Sequence, residues 1–188
     1  MSYLYVGATA ETDRDALTAI GAFLSVQFAS PVRKIDLPSV DFAFDTRRHQ
    51  YGSIPALEMV NRLCPADAVK LLAITERDLF IPVLTFVFGH AQLGGRAALI
   101  SLARLRQEFY GLEPNTPVLL ERACKEALHE TGHTFGLVHC SDIGCAMALS
   151  TRVQQIDQKQ AAFCPACSRR LPAGVIAHEN SLAHFGGR

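Results

Sequence analysis

His129, Glu130 and His133 stand in the order His-Glu-x-x-His, and Gly136 and His139 extend the run to His-Glu-x-x-His-x-x-Gly-x-x-His. On a helix, residues i and i+4 project from one face about one turn apart, so His129 and His133 can meet a single ion. Zinc accepts imidazole nitrogens at about 2.0–2.1 Å, which suits that spacing. Gly136 can take a positive φ at little cost, ending the helix and bringing His139 round to the same ion. Three imidazoles leave one tetrahedral position for water, the mark of a catalytic rather than a structural site. Glu130 lies about 100° further round the helix, beside the metal and not on it. The expected chemistry is hydrolysis: zinc lowers the pKa of its bound water to about 7 and polarises a scissile carbonyl. Glu130 takes the proton from that water and returns it to the departing amine. The competing reading, histidines merely exposed at a helix end, is weakened by Gly136 and His139 at the spacing such a site needs.

Cys140 follows His139 directly, Cys145 comes soon after, and Cys164-Pro165-Ala166-Cys167 forms a CxxC. Two close pairs match the ligand spacing of a closed four-cysteine zinc site, and soft thiolates filling the tetrahedron make it structural. The site would staple the C-terminal part of the chain to the loop carrying His139. A redox-active CxxC and a pair of disulfides are the alternatives. Cys64 and Cys124 lie in apolar helical contexts and are expected to be buried free thiols.

Elements must position these residues. The helix bearing His129 and His133 is predicted to follow Glu113-Pro-Asn-Thr-Pro117, with Thr116 as its cap, Pro117 in its first turn and Glu121 near its positive end. It should run to about Phe135 and stop at Gly136. Upstream, residues 3–6 read as a strand, and residues 13–28 as a helix with an apolar face of Leu17, Ile20, Leu24 and Phe28. Residues 33–37 look extended, 41–53 read as a polar loop, and 55–63 as a helix with Pro55 at its first position. Residues 69–74 and 83–88 read as strands, the second so continuously apolar that a central position is expected. Residues 97–105 suit a strand, although periodicity alone leaves a helix open. A further helix is expected over 151–163. The order gives an α/β layout in one domain spanning 1–188.

Composition agrees with that class. The 188 residues are 49% hydrophobic with a formal net charge of zero. A chain of this size buries about 70% of its unfolded surface, so it needs no disulfides. Neutral charge gives no case for nucleic acid or an anionic membrane, and the charged residues read as a mixed, solvated surface. No stretch is long and apolar enough for a bilayer, and the N-terminus lacks the pattern of a signal peptide. A cytoplasmic monomer with reduced cysteines is therefore expected, the thiol state holding unless the source is a hyperthermophile.

The longer histidine motif resembles the metzincin signature, which is followed by a methionine turn. Met147 is the candidate for that turn, an apolar floor beneath the three histidines. The motif, the immediate Cys140, then Cys145, Met147 and the CxxC together resemble the archaemetzincins, and residues 86–105 are similar to that family's strand region. The resemblance implies a twisted mixed sheet packed on helices, with an active-site helix and a small C-terminal subdomain dividing 1–139 from 140–188. It also implies two zinc ions per chain. His129, His133 and His139 would hold the catalytic zinc, Glu130 would act as base and acid, and Cys140, Cys145, Cys164 and Cys167 would hold the second. Peptide or protein substrates would add as a strand to a sheet edge, for which residues 97–105 are the candidate. No tyrosine follows Met147, so stabilisation of the oxyanion would rest on zinc and backbone donors.

Peptide-bond hydrolysis is the leading reading, and a zinc-binding interaction or latent protein with little activity is the alternative. Iron or another divalent ion is a third, although three imidazoles suit zinc. Intact Glu130 favours the enzyme, since a binding module has no use for a carboxylate beside metal-bound water. His178 and His184 are expected to be solvated tail residues. His49 and His90 are candidates to line the cleft.

Overall fold

A computed structural model describes residues 3–175 of the chain. The elements run β1 (Tyr3–Ala8), α1 (Arg14–Gln27), β2 (Val32–Asp36), β3 (Phe44–Asp45), β4 (Gln50–Gly52), α2 (Ser53–Leu63), β5 (Ala68–Thr75), β6 (Leu79–Phe80), β7 (Gly89–Ala91), β8 (Ala97–Ser101), α3 (Thr116–Thr134), α4 (Val153–Gln158) and α5 (Pro165–Ser168). Five strands form a mixed sheet in the order β2-β1-β5-β8-β7. The first three pairings are parallel, and only β7 runs antiparallel to its neighbour β8. Helices cover both faces, which is why β8 is buried along its whole length. One core joins the sheet to α1 and α3 through residues such as Ile20, Leu24, Ile100 and Leu128. A second lies under α2, where Leu57 and Val60 meet Leu71 and Leu99.

Local chemistry accounts for the main boundaries. Asp13 caps α1 by accepting hydrogen bonds from the Asp15 and Ala16 backbone N–H groups, and those bonds hold its carboxyl below the usual range. The predicted apolar face of that helix is buried throughout, with Phe28 just past its end. Helix α3 is capped by Asn115, not by the expected Thr116: the Asn115 side chain accepts from Val118 N–H, which places Thr116 and Pro117 inside the helix. Helix α2 starts two residues earlier than predicted, at Ser53.

Four expectations need correction. Residues 83–88 are not a central strand: Val83 is 83% and Leu84 50% exposed, and the run's backbone pairing is confined to an isolated bridge from Val87 to Leu79 and a bond from Ser101 N–H to the Phe88 carbonyl. The position beside β8 is filled by β7, so this apolar run does not join the five-stranded sheet. Of residues 97–105, only 97–101 form a strand, and it is interior; the sheet's edges are β2 and β7, of which β7 adjoins it. Residues 41–53 contain a 3-10 turn and the small antiparallel pair β3–β4, extended by β6, where a loop was expected. Only residues 153–158 of the stretch 151–163 are helical.

The charged residues also depart from a purely solvated surface. Arg122, 6% exposed, reaches Asp157 with two hydrogen bonds of 2.7 and 2.8 Å and the Leu105 carbonyl with a third of 2.9 Å, binding α3 to α4. Lys159 and Glu126 are buried together, 3.4 Å apart. No helix among the described residues is long and apolar enough to cross a membrane.

Candidate active site

Helix α3 delivers Glu130 and His133 to the lining of a cleft of about 480 Å³, with the His129 ring packed against His133. Its end is tightly closed. Gly136, at φ 89°, donates to the His133 carbonyl, and Leu137 donates to Gly132, the paired bonds by which a left-handed residue terminates a helix. The Lys70 ammonium completes the closure with 2.7 Å bonds to the Thr134 and Gly95 carbonyls, placing a cation at the negative end of the helix. The chain leaving this turn brings His139 against the other two imidazoles, with ring centroids 4.6 to 5.4 Å apart.

Hydrogen bonds set the tautomers of two of the rings. His129 Nδ1 is 2.8 Å from the Ala146 carbonyl and His133 Nδ1 is 2.7 Å from the Leu137 carbonyl. A carbonyl only accepts, so each Nδ1 carries the proton and each Nε2 presents a lone pair. These two Nε2 atoms lie 3.1 Å apart. Two lone pairs at that distance repel, whereas a cation between them is what they would ligate. Tetrahedral zinc bonds of the usual length put adjacent nitrogens about 3.3 Å apart. Burial pushes His129 well below the ordinary imidazole range, helped by the Lys159 charge, and lowers His133 and His139 too. Each shift favours the neutral imidazole, the form a metal ligand must have. The donor set fits zinc.

Glu130 is 5% exposed and borders the cleft. Burial, then the neighbouring Glu126, raises its carboxyl well above the usual range, and Lys159 opposes the shift. A dication on the adjacent imidazoles is the counter-charge such a carboxylate would use. Gly89 on β7 makes room for it: a Cβ there would lie 2.6 Å from Glu130 Oε1. On the opposite side of the helix, a Cβ on Gly132 would meet Met147 Sδ at 2.6 Å. Met147 is fully buried and so packs close against the ligand-bearing helix. Gly89 and Gly132 were missed from sequence. Gly132 sits in plain view inside the histidine motif, but the atom that requires it comes from a different segment.

Cys140, Cys145, Cys164 and Cys167 converge, their sulfurs lying within 4.8 Å of one another. Cys140 Sγ and Cys164 Sγ are 3.8 Å apart, too far for a disulfide and close to the sulfur separation in tetrahedral zinc thiolate, about 3.8 Å. Backbone N–H groups of Asp142, Met147 and Cys164 point at the sulfurs of Cys140 or Cys145, as they would at thiolates. Without a cation, burial pushes the Cys145 and Cys167 thiols up. This donor set also fits zinc. The Cys140 N–H donates to the Met147 carbonyl, so the cluster and the methionine share one short framework with His139.

Other candidates separate clearly. His90 lines the cleft, with Nδ1 3.0 Å from Ser53 Oγ. His49 does not; it lies in the β3–β4 turn against Phe44. His178 and His184 fall outside the described residues. Cys64 and Cys124 are free but only partly buried, a correction to full burial; Cys64 caps α2 and Cys124 sits within α3.

Comparison with known proteins agrees with this arrangement. The family model for Peptidase family M54 matches residues 56–173. An archaemetzincin from Methanocaldococcus jannaschii is 44% identical over 138 residues, covering 73% of this chain and 74% of that protein. The crystal structure of a zinc-dependent peptidase from Methanocorpusculum labreanum superposes with a TM-score of 0.81 at 28% identity, over 90% of this chain and all of the other. That of an archaemetzincin from Methanopyrus kandleri gives 0.77 at 32% identity, over 89% and 92%.

Proposed function

The chain belongs to peptidase family M54, the archaemetzincins, and is a zinc metalloprotease; from that premise we propose that His129, His133 and His139 hold the catalytic zinc and that Glu130 moves the protons of peptide-bond hydrolysis. Zinc in such a site supplies Lewis acidity, polarising the scissile carbonyl and lowering the pKa of water to about 7. Glu130 accepts a proton from the attacking water at a carboxylate oxygen as the water oxygen bonds to the carbonyl carbon. It gives that proton to the amide nitrogen as the carbon–nitrogen bond breaks. The carbonyls of Ala146 and Leu137 hold the two imidazoles in the tautomer that leaves Nε2 free. The peptide lies along the outer edge of β7, which borders the cleft and is the last strand of the sheet.

One observation carries this reading: a buried carboxyl directly after the first histidine, at the cleft, in a space kept open by Gly89. A second zinc at Cys140, Cys145, Cys164 and Cys167 is proposed to brace the segment from His139 to Met147. In this view residues 1–188 form one catalytic domain, and residues 140–188 are its C-terminal subdomain. The test is mass spectrometry of a diverse peptide pool incubated with zinc-loaded protein and with Glu130→Gln. New fragments from the wild type, absent from a variant that retains zinc, are expected. Equal cleavage by both proteins would remove Glu130 from the mechanism. No cleavage by either would favour a binding or latent role.

A further inference from the structure

The cleft beside Glu130 combines apolar walls with polar groups that hydrolysis does not use. Phe86, Phe88 and Leu149 supply apolar surface, while Glu126 and Ser150 bring a carboxyl and a hydroxyl to the same lining. Arg104 stacks on Phe86 at 4.1 Å and is clamped by Asp78 at 2.6 and 2.8 Å, so this wall is held in place.

Glu126 lies one helical turn before Glu130 and is 3% exposed. Its Oε1 accepts from Lys159 Nζ at 3.4 Å. Apolar residues of similar size can replace such a buried pair with little loss of stability, so folding alone does not call for it. Ser150 Oγ is buried and has no hydrogen-bond partner among the described residues. Native proteins leave few buried hydroxyls in that condition, and each exception calls for a reason. A substrate group meeting the hydroxyl in the cleft would supply one.

We propose, resting on the peptidase reading above, that this pocket selects a peptide side chain with an apolar stem and a hydrogen-bond-donating tip, tyrosine or glutamine for example, and that Glu126 and Ser150 read the tip. Burial raises the Glu126 carboxyl above its ordinary range and the Lys159 ammonium, bonded to one of its oxygens, opposes that shift; the second oxygen is the acceptor offered to the tip. The Ser150 hydroxyl can accept or donate. A donating tip therefore satisfies groups that phenylalanine or methionine, alike in shape, would leave unpaired. Sites built to hydrogen-bond a substrate group reject the analogue lacking it far more strongly than apolar pockets reject a changed methylene.

Peptides differing only as Tyr against Phe, or Gln against Met, at each position flanking the cleaved bond provide the test. Their kcat/KM values are compared for zinc-loaded wild type, Ser150→Ala and Glu126→Gln. At one position the wild type should prefer Tyr and Gln by about tenfold or more, and Ser150→Ala should cut that preference by about fivefold. Glu126→Gln should lower it as well. Should that variant fail to fold, Ser150→Ala, which removes one oxygen, still decides. Cleavage with the same ratios in wild type and Ser150→Ala overturns the pocket assignment and leaves the peptidase reading intact. No cleavage of any peptide by the wild type overturns both.

Discussion

Replacing Gly89 by alanine should damage catalysis far more than folding. The added methyl carbon would stand 2.5 Å from Glu130 Cγ, 2.6 Å from Oε1 and 2.7 Å from Cδ. Ordinary contact between such atoms starts at about 3.4 Å, so the encounter is resolved only by a shift of roughly 0.9 Å. The obstructing atoms belong to a side chain with rotatable bonds, and the strand is an edge with one neighbour, so Glu130 moves before the sheet does. Crowding of this kind costs about 1–3 kcal/mol of stability, and the adaptable partner puts Gly89→Ala at the lower end. A reacting group misplaced by about 1 Å can cost a hundredfold in rate. The expected result is therefore a kcat/KM lower by about 30- to 100-fold, with zinc content unchanged and only a small drop in melting temperature. Peptide cleavage, metal analysis and thermal melting on one preparation would measure all three. Wild-type kcat/KM in a folded, zinc-loaded Gly89→Ala protein would refute the placement of Glu130 at the reacting centre.

Other perturbations separate the remaining parts. Serine at both Cys164 and Cys167 should lower the zinc content by one per chain and reduce the melting temperature, because metal binding adds to folding free energy; unchanged metal content would remove the structural site. Lys159→Met leaves the Glu126 carboxyl buried without its partner and should destabilise by about 3–5 kcal/mol, while adding Glu126→Leu should recover most of that loss. A denaturant series showing equal loss in single and double variants would deny the pairing. Burial holds His90 below its ordinary pKa of 6.5, so as the pH falls the unfolded chain protonates first and the native state loses stability from about pH 6.5 downward. His90→Gln should therefore gain in melting temperature relative to wild type between pH 7.5 and 5.5, and a constant difference would contradict that shift.

The chemistry was legible in the sequence where it is local. His129 and His133 are four residues apart on a helix, Gly136 marks its end, and the cysteines come as two close pairs. Groups that act across long separations were not legible. Lys159 reaches Glu126 over 33 residues, and nothing near either one distinguishes them from surface charges. Gly89 is required by an atom of Glu130, which only the packed β7 and α3 bring beside it. The apolar run of residues 83–88 misled for a different reason. Its side chains are hydrophobic because several line a cleft, and a strand buried on both faces shows the same pattern. In β3 and β4, strands of two and three residues are too short for any period to register.

The junction of His139 and Cys140 also bears on the order of assembly during synthesis. Chain emerging from a ribosome presents His129, Glu130 and His133 first, on a helix whose Glu126 has yet to meet Lys159. His139 follows on a segment whose cysteine pair waits for Cys164 and Cys167, the former bonding back to Cys145 over 19 residues. If the four cysteines hold a second zinc as proposed, His139 would be tethered but not braced until those last two arrive. On the proposed ligand set, a nascent chain would therefore have its full ligand geometry only after Cys164 and Cys167 have been made.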